Sequence, residues 1–183
     1  MTANRETLAT LVLEDTALTF RRLKELAERA LAQVDDAEFF RTIDRESNSI
    51  AIIVQHIGGN LRSRWTEFMT TDGEKSWRDR DGEFIIAADT TRADVMAEWD
   101  AGWRALTNEL ADLAPDDLTA LVTVRGESMP AIAAMHRSLA HVAQHVGQIV
   151  LLAKHHRVED WKTLSIPRGE SRTWKPAPPS RSR

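Results

Sequence analysis

Apolar residues recur at intervals of three and four through four separate stretches of the chain, a period that fits helices hiding one face and not strands. In residues 6–33 the stripe is Leu8, Leu11, Val12, Leu18, Leu23, Leu26 and Leu31. Asp35 and Asp36 break that helix, and a short apolar knot, Phe39 and Phe40, precedes a polar link over 44–48. Ser47, Asn48 or Ser49 can cap a second helix, whose stripe of Ile50, Ile53, Val54, Ile57, Leu61, Trp65 and Phe68 leads to about Thr71. Thr91 opens a third, with Asp94 three residues on as in a capping box, and Val95, Met96, Trp99, Trp103, Leu106 and Leu110 carry it to about Leu113. Ser128 with Pro130 launches a fourth that runs to about His155. Each stripe needs neighbours to hide it from water, so the economical architecture is all-α, a four-helix bundle.

The connections carry their own signals. Residues 72–89 form a long polar loop with Gly73 and Gly82, and loops of that length are more often functional than idle. Alternation over 118–124 followed by Arg125-Gly126 predicts a small hairpin or extended arm between helices three and four. Long links after helices two and three permit a crossover connection. Gly58 and Gly59 lie inside the second helix, where each costs about 1 kcal/mol against alanine, so close helix approach is the expected reason. Trp161, Leu164 and Ile166 can dock on the bundle. The Pro, Ser and Arg content of 176–183 reads as disorder, giving one bundle domain over 1–171 and a tail over 172–183.

Composition narrows the function. A net charge of −4 over 183 residues argues against bulk electrostatic binding of nucleic acid or of an anionic membrane. The first thirty residues hold no apolar core of signal-peptide type, and the apolar run 146–153 is about half of a bilayer span, so a cytoplasmic protein is expected. With no cysteine, there is neither a disulfide nor a thiolate ligand, and any metal must be held by histidine or carboxylate.

His141 and His145 stand four apart on the fourth helix, which puts both imidazoles on one face within reach of a single ion. His56 lies at the margin of the second helix's stripe and can supply a third nitrogen. The plain alternative is surface or hydrogen-bonded core histidines, which spacing alone does not exclude. His136 and His155 face elsewhere; the latter is about 15 Å along the axis at 1.5 Å per residue. Val142 stands where the zincin signature needs its glutamate, so peptidase chemistry is not expected. Gln144 and Gln148 are candidates to orient an imidazole from behind. Asn60, Arg64, Trp77, Arg78 and Arg80 can bind an anionic substrate near the site's mouth, but Arg62, Arg64 and the Asp79-Arg80-Asp81 cluster more commonly make solvated ion pairs that hold a loop.

A histidine in the second helix combined with His141-Val-Ala-Gln-His145-Val-Gly147-Gln148-Ile149 resembles the DinB-like superfamily of metal-binding bundles. The segment Ser47 to His56, the runs Ser63-Arg-Trp-Thr-Glu-Phe68, Thr71-Asp-Gly-Glu-Lys75 and Trp77-Arg-Asp-Arg-Asp81, and the closing Trp161-Lys-Thr-Leu-Ser-Ile-Pro-Arg-Gly169 resemble a bacterial branch catalogued as a domain of unknown function. The similarity runs to about Ser171. It implies a down-down bundle with a long crossover, a homodimer, and a divalent ion (zinc, nickel, iron or manganese) held by His56, His141 and His145. Some relatives resemble thiol transferases, in which the metal activates a low-molecular-weight thiol toward an electrophile. The resemblance therefore implies either such a transferase or hydrolase, or a metal-binding or stress-associated bundle without catalysis.

Overall fold

A computed structural model describes residues 2–175, with side chains from Leu8 onward. In chain order it comprises helix α1 (Thr2–Leu31), the short α2 (Asp36–Phe40), α3 (Ile50–Trp65), a 3₁₀ turn (Gly82–Phe84), α4 (Arg92–Asp112), a second 3₁₀ turn (Pro115–Thr119), strands β1 (Leu121–Val124) and β2 (Glu127–Pro130), and α5 (Ala131–His156). The protein is mostly helical, as the four stripes require, with a single two-stranded sheet among the described residues. No helix among them is long and apolar enough to cross a membrane. The disorder expected of residues 176–183 concerns positions outside the described ones.

Helix α3 packs chiefly on α4 and also on α5, while α1 lies against α5. Phe20 of α1 meets Trp65 of α3 edge-on at 5.8 Å and Trp103 of α4 at 6.3 Å. Such ring pairs contribute about 0.5–1.5 kcal/mol each beyond the area they bury. The Trp65 indole N–H donates to Ser138 Oγ of α5 at 3.0 Å, so the buried donor is satisfied and a fourth helix joins the cluster. Trp65, Trp99 and Trp103 are all buried, as their stripes predict.

Helices α3 and α4 touch backbone to backbone. A Cβ on Gly58 would sit 2.7 Å from the Glu98 carbonyl carbon, and one on Gly102 would sit 2.9 Å from the Gly58 Cα. Only glycines permit that approach.

The third predicted helix begins as expected. Asp94 N–H donates to Thr91 Oγ1 at 3.2 Å and Thr91 N–H to Asp94 Oδ2 at 2.9 Å, a reciprocal cap of the kind that stabilises by about 1 kcal/mol. The apolar knot is itself one helical turn, α2, closed by the same device between Asp35 and Glu38.

Other boundaries differ from expectation. The second predicted helix, α3, stops at Trp65 and not near Thr71, because Thr66 is extended and Glu67 takes a left-handed φ of 52°. The Glu67 N–H donates to the Glu109 carboxylate of α4 at 2.9 Å, which fixes the turn. Phe68 still reaches the core and stacks on Trp65 at 4.8 Å, so the stripe continued where the helix did not. Ser128, expected to launch the last helix, lies instead in β2 opposite Thr123. Helix α5 starts after Pro130, whose fixed φ and missing N–H suit a helix entrance.

The hairpin is present, and its turn residues Arg125 and Gly126 both have positive φ, 57° and 75°, the pair a tight two-residue connection demands. Asp72 ties that turn to the long loop: its carboxylate accepts the backbone N–H groups of Glu74, Arg125 and Gly126 at 2.7–2.8 Å. Trp161 and Leu164 pack against the core as expected, whereas Ile166 stays exposed. Gln33 exchanges two hydrogen bonds with the backbone of Lys162 and so pins this segment to the end of α1.

Candidate metal centre

Helix α3 carries His56 on its buried side, 4% exposed, and α5 presents His141 and His145 one turn apart toward it. The three ring centroids are 4.5, 5.0 and 5.1 Å from one another. One nitrogen from each ring can be chosen so that all three lie within 4.8 Å of one another. The Nε2 atoms of His56 and His141 are 3.2 Å apart. Two nitrogens at the ordinary zinc distance in a tetrahedral site stand about 3.3 Å apart, so this pair already has the required spacing. The three imidazoles therefore can hold a metal ion, and they are the three that the sequence singles out.

The surrounding groups fit that purpose. Glu83 Oε2 accepts from His56 Nδ1 at 2.8 Å, leaving the Nε2 lone pair directed at the other two rings. His145 Nδ1 pairs with Gln148 Oε1 at 2.6 Å, which orients the second ring in the same sense. Gln148 thus takes the place expected of it, while Gln144 is exposed. His136 and His155 are exposed and apart from the cluster, also as expected.

For the two rings on α5, electrostatics favour the neutral form, the one that binds metal. Burial, then the neighbouring His145 and His56, and then the charges of Arg78 and Arg64 push His141 down to about 3. Burial lowers His145 as well, against the opposing hydrogen bond to Gln148. His141 Nδ1 is buried with no hydrogen-bond partner among the described residues.

Glu83 is the residue that sequence reasoning missed. It arrives on the 3₁₀ turn within the long loop, and Gln55 of α3 clamps that turn by donating to the carbonyls of Glu83 and Ile85 at 3.0 and 3.1 Å. Gly59 makes room for it, because a Cβ there would lie 2.8 Å from the Glu83 carboxyl carbon. The two adjacent glycines thus serve different ends: Gly58 admits helix α4, and Gly59 admits a carboxylate. Burial tends to raise the Glu83 carboxyl, but hydrogen bonds from His56 and Arg78, with the Arg78 charge, hold it below the ordinary range. Arg78 grips it in a fork, Nε to Oε1 at 2.7 Å and Nη2 to Oε2 at 2.8 Å.

Of the arginines expected in solvated ion pairs, Arg64 departs from the expectation, and it does so beside this fork. The Arg78 side chain is 2% exposed, and Arg64 is also largely buried against Glu74, at 3.0 Å. Buried charges persist only when paired; Arg78 finds its partner within the long loop, and Arg64 of α3 finds its own on that loop. Arg62 and Arg80 do conform to the expectation, meeting Glu98 and Asp81 at the surface. Trp77 lies half-exposed under the Arg62 guanidinium at 4.8 Å, in a shallow depression separate from the histidines.

A cavity of about 200 Å³ opens beside the cluster, with His56, His141, Asn60, Ser138 and Trp65 in its wall. Two of the three histidines, His56 and His141, therefore border an open space.

The family model for proteins of unknown function, DUF1572, matches residues 7–170, nearly the whole chain. No curated protein and no solved structure matches it.

Proposed function

The chain belongs to the DUF1572 family, and we propose that it is a divalent-metal-binding bundle of the DinB-like type, with His56, His141 and His145 as the ligands. The observation that carries this reading is the orientation of the rings: two of the three have Nδ1 engaged from behind, by Glu83 and by Gln148. Histidines that pack merely as core residues have no need of aligned Nε2 atoms. Metal-ligating imidazoles ordinarily show this backing by a carboxylate or amide.

Three neutral imidazoles suit zinc, nickel, iron or manganese, and geometry together with supply selects among them. A bound ion would supply the Lewis acidity that makes a small thiol or water nucleophilic at neutral pH. The chain's own residues perform the rest. Glu83 and Gln148 hold the rings in register, Arg78 keeps Glu83 ionised and in place, and the apolar wall of Trp65 and Phe68 dries one side of the cavity. Having no cysteine, the protein would take its thiol from solution, so the reaction we favour is transfer of a low-molecular-weight thiol to an electrophile. The second reading, a metal-binding bundle without catalysis, is separated from it by screening several thiols with epoxide and chloroalkane electrophiles. Metal-dependent thiol consumption favours the transferase, and none across the panel favours the second.

Elemental analysis tests the metal itself. Purified wild type should carry about one equivalent of divalent metal per chain, and a His141→Ala, His145→Ala double variant less than about a tenth of that. Equal contents in the two would remove the site.

We further propose a homodimer. Leu8, Leu11 and Leu18 fall on one side of α1 and are exposed, which is the kind of face a second copy covers. Light scattering on the eluting protein should return twice the 20.6 kDa chain mass, and the single mass would overturn this.

A further inference from the structure

The cavity beside the histidines has an unusual wall. Arg64, Arg78, Arg80, Arg125 and Arg137 all line it, and no carboxylate among the described residues does. Two carboxylates stand behind these guanidinium groups. Glu83 is taken by Arg78, and Glu74 is divided among Arg125 at 2.8 Å, Arg64 at 3.0 Å and Arg78 at 3.6 Å. The partners of Arg80 and Arg137 are Asp81 and Glu127, at 3.6 and 3.9 Å, both well exposed to solvent.

Two of the arginines have hydrogen-bonding capacity that the described residues do not use. Arg64 Nη1 and Arg78 Nη1 are buried with no hydrogen-bond partner among the described residues, and Arg78 Nη1 has only the long ion pair to Glu74. A buried charged donor left unpaired is costly, so its retention asks for an acceptor that the chain does not itself provide.

We infer that the cavity is the subsite for a small anionic substrate, whose carboxylate or phosphate oxygens are held by Arg64 and Arg78 while the remainder of the molecule extends toward His56 and His141. Guanidinium matches either oxyanion through paired, charge-assisted hydrogen bonds. A space of about 200 Å³ suits a ligand of small-metabolite size. Arg80, Arg125 and Arg137, more exposed, would attract the anion to the mouth before it is desolvated. The inference rests on the proposed metal centre only for where the reacting end of the substrate lies. The anion subsite itself is built from other side chains.

Calorimetric titration of inorganic phosphate and of propionate into metal-loaded and metal-stripped protein tests it. Wild type should bind at least one of the two at a single site, and stripping the metal should leave that binding measurable. Phosphate alone or propionate alone would name the oxyanion. Arg64→Gln should weaken the binding about tenfold or more, the usual consequence of losing a charged hydrogen bond, without lowering metal content. Arg125→Gln, at a half-exposed position, should weaken it severalfold and serves if Arg64→Gln does not fold. Failure of wild type to bind either anion, or unchanged binding in the folded variants, would overturn the inference. Loss of the metal reading alone would show as equal metal content in the histidine variant, with the anion results intact.

Discussion

Gly102→Ala is expected to destabilise the protein by about 2 kcal/mol, although the same substitution inside an ordinary helix gains up to about 1 kcal/mol. The sign reverses because the new methyl group would run into the Gly58 carbonyl oxygen and stand 2.9 Å from its Cα, and neither helix has a flexible side chain there to yield. Overpacking of a close contact costs about 1–3 kcal/mol, occasionally more, and here the helices must separate along the whole α3–α4 seam. For a chain of this size the loss corresponds to a fall of about 4–8 °C in melting temperature. Gly147→Ala on α5 is the control. Nothing lies within 4 Å of a Cβ at that position, so only the helix-propensity gain remains, and the variant should melt slightly higher than wild type. Thermal melts of both variants decide the matter: an unchanged or raised melting temperature for Gly102→Ala would show that the crossing is looser than described.

Glu83→Gln should cost nearly as much as Glu83→Ala, and both should weaken metal binding by about 10–100-fold. The carboxylate accepts from three donors, Arg78 Nε, Arg78 Nη2 and His56 Nδ1. An amide offers one oxygen, and its NH₂ group must then face a donor whichever way it is turned. Glu83→Ala leaves the Arg78 guanidinium buried with only the longer contact to Glu74, Glu83→Gln leaves it at most one neutral acceptor besides, and removing one partner of a buried pair costs about 3–5 kcal/mol. Metal titration of the folded variant, at a temperature below its lowered melting point, separates the two effects. Affinity within threefold of wild type would mean that His56 needs no backing, and the proposed role of Glu83 would be withdrawn.

The legible and illegible parts of this protein divide along the range of the interactions. Stripes such as Ile50, Ile53, Val54, Ile57 and Leu61 are written at one helical period, and they gave four helices in the right places. His141 and His145 share a face for the same local reason, and His56 was visible as a polar group at the edge of an apolar face. The end of α3 was not visible, because Phe68 continues the stripe through a turn whose left-handed Glu67 carries no glycine to mark it. Glu83 was harder still. It belongs to a charged run, Asp79, Arg80, Asp81, Glu83, that reads as solvated until the loop folds Arg78 back on it and the tertiary structure brings His56 to it across 27 residues of sequence. One signal did exist: Gly59, three positions beyond His56, clears space on the face of the helix beside the imidazole.

Asp72 has a bearing on how the cavity admits its contents. Its carboxylate gathers backbone N–H groups from both the long loop and the hairpin tip, so Gly73, Arg64 and Arg78 on one rim are fastened to Val124 and Arg125 on the other. The two rims accordingly form one cooperative unit of local opening, in which a fluctuation that frees either frees both. Entry to the chamber is then an all-or-none event governed by one half-buried side chain, and amide exchange at Glu74, Arg125 and Gly126 should keep the same clock.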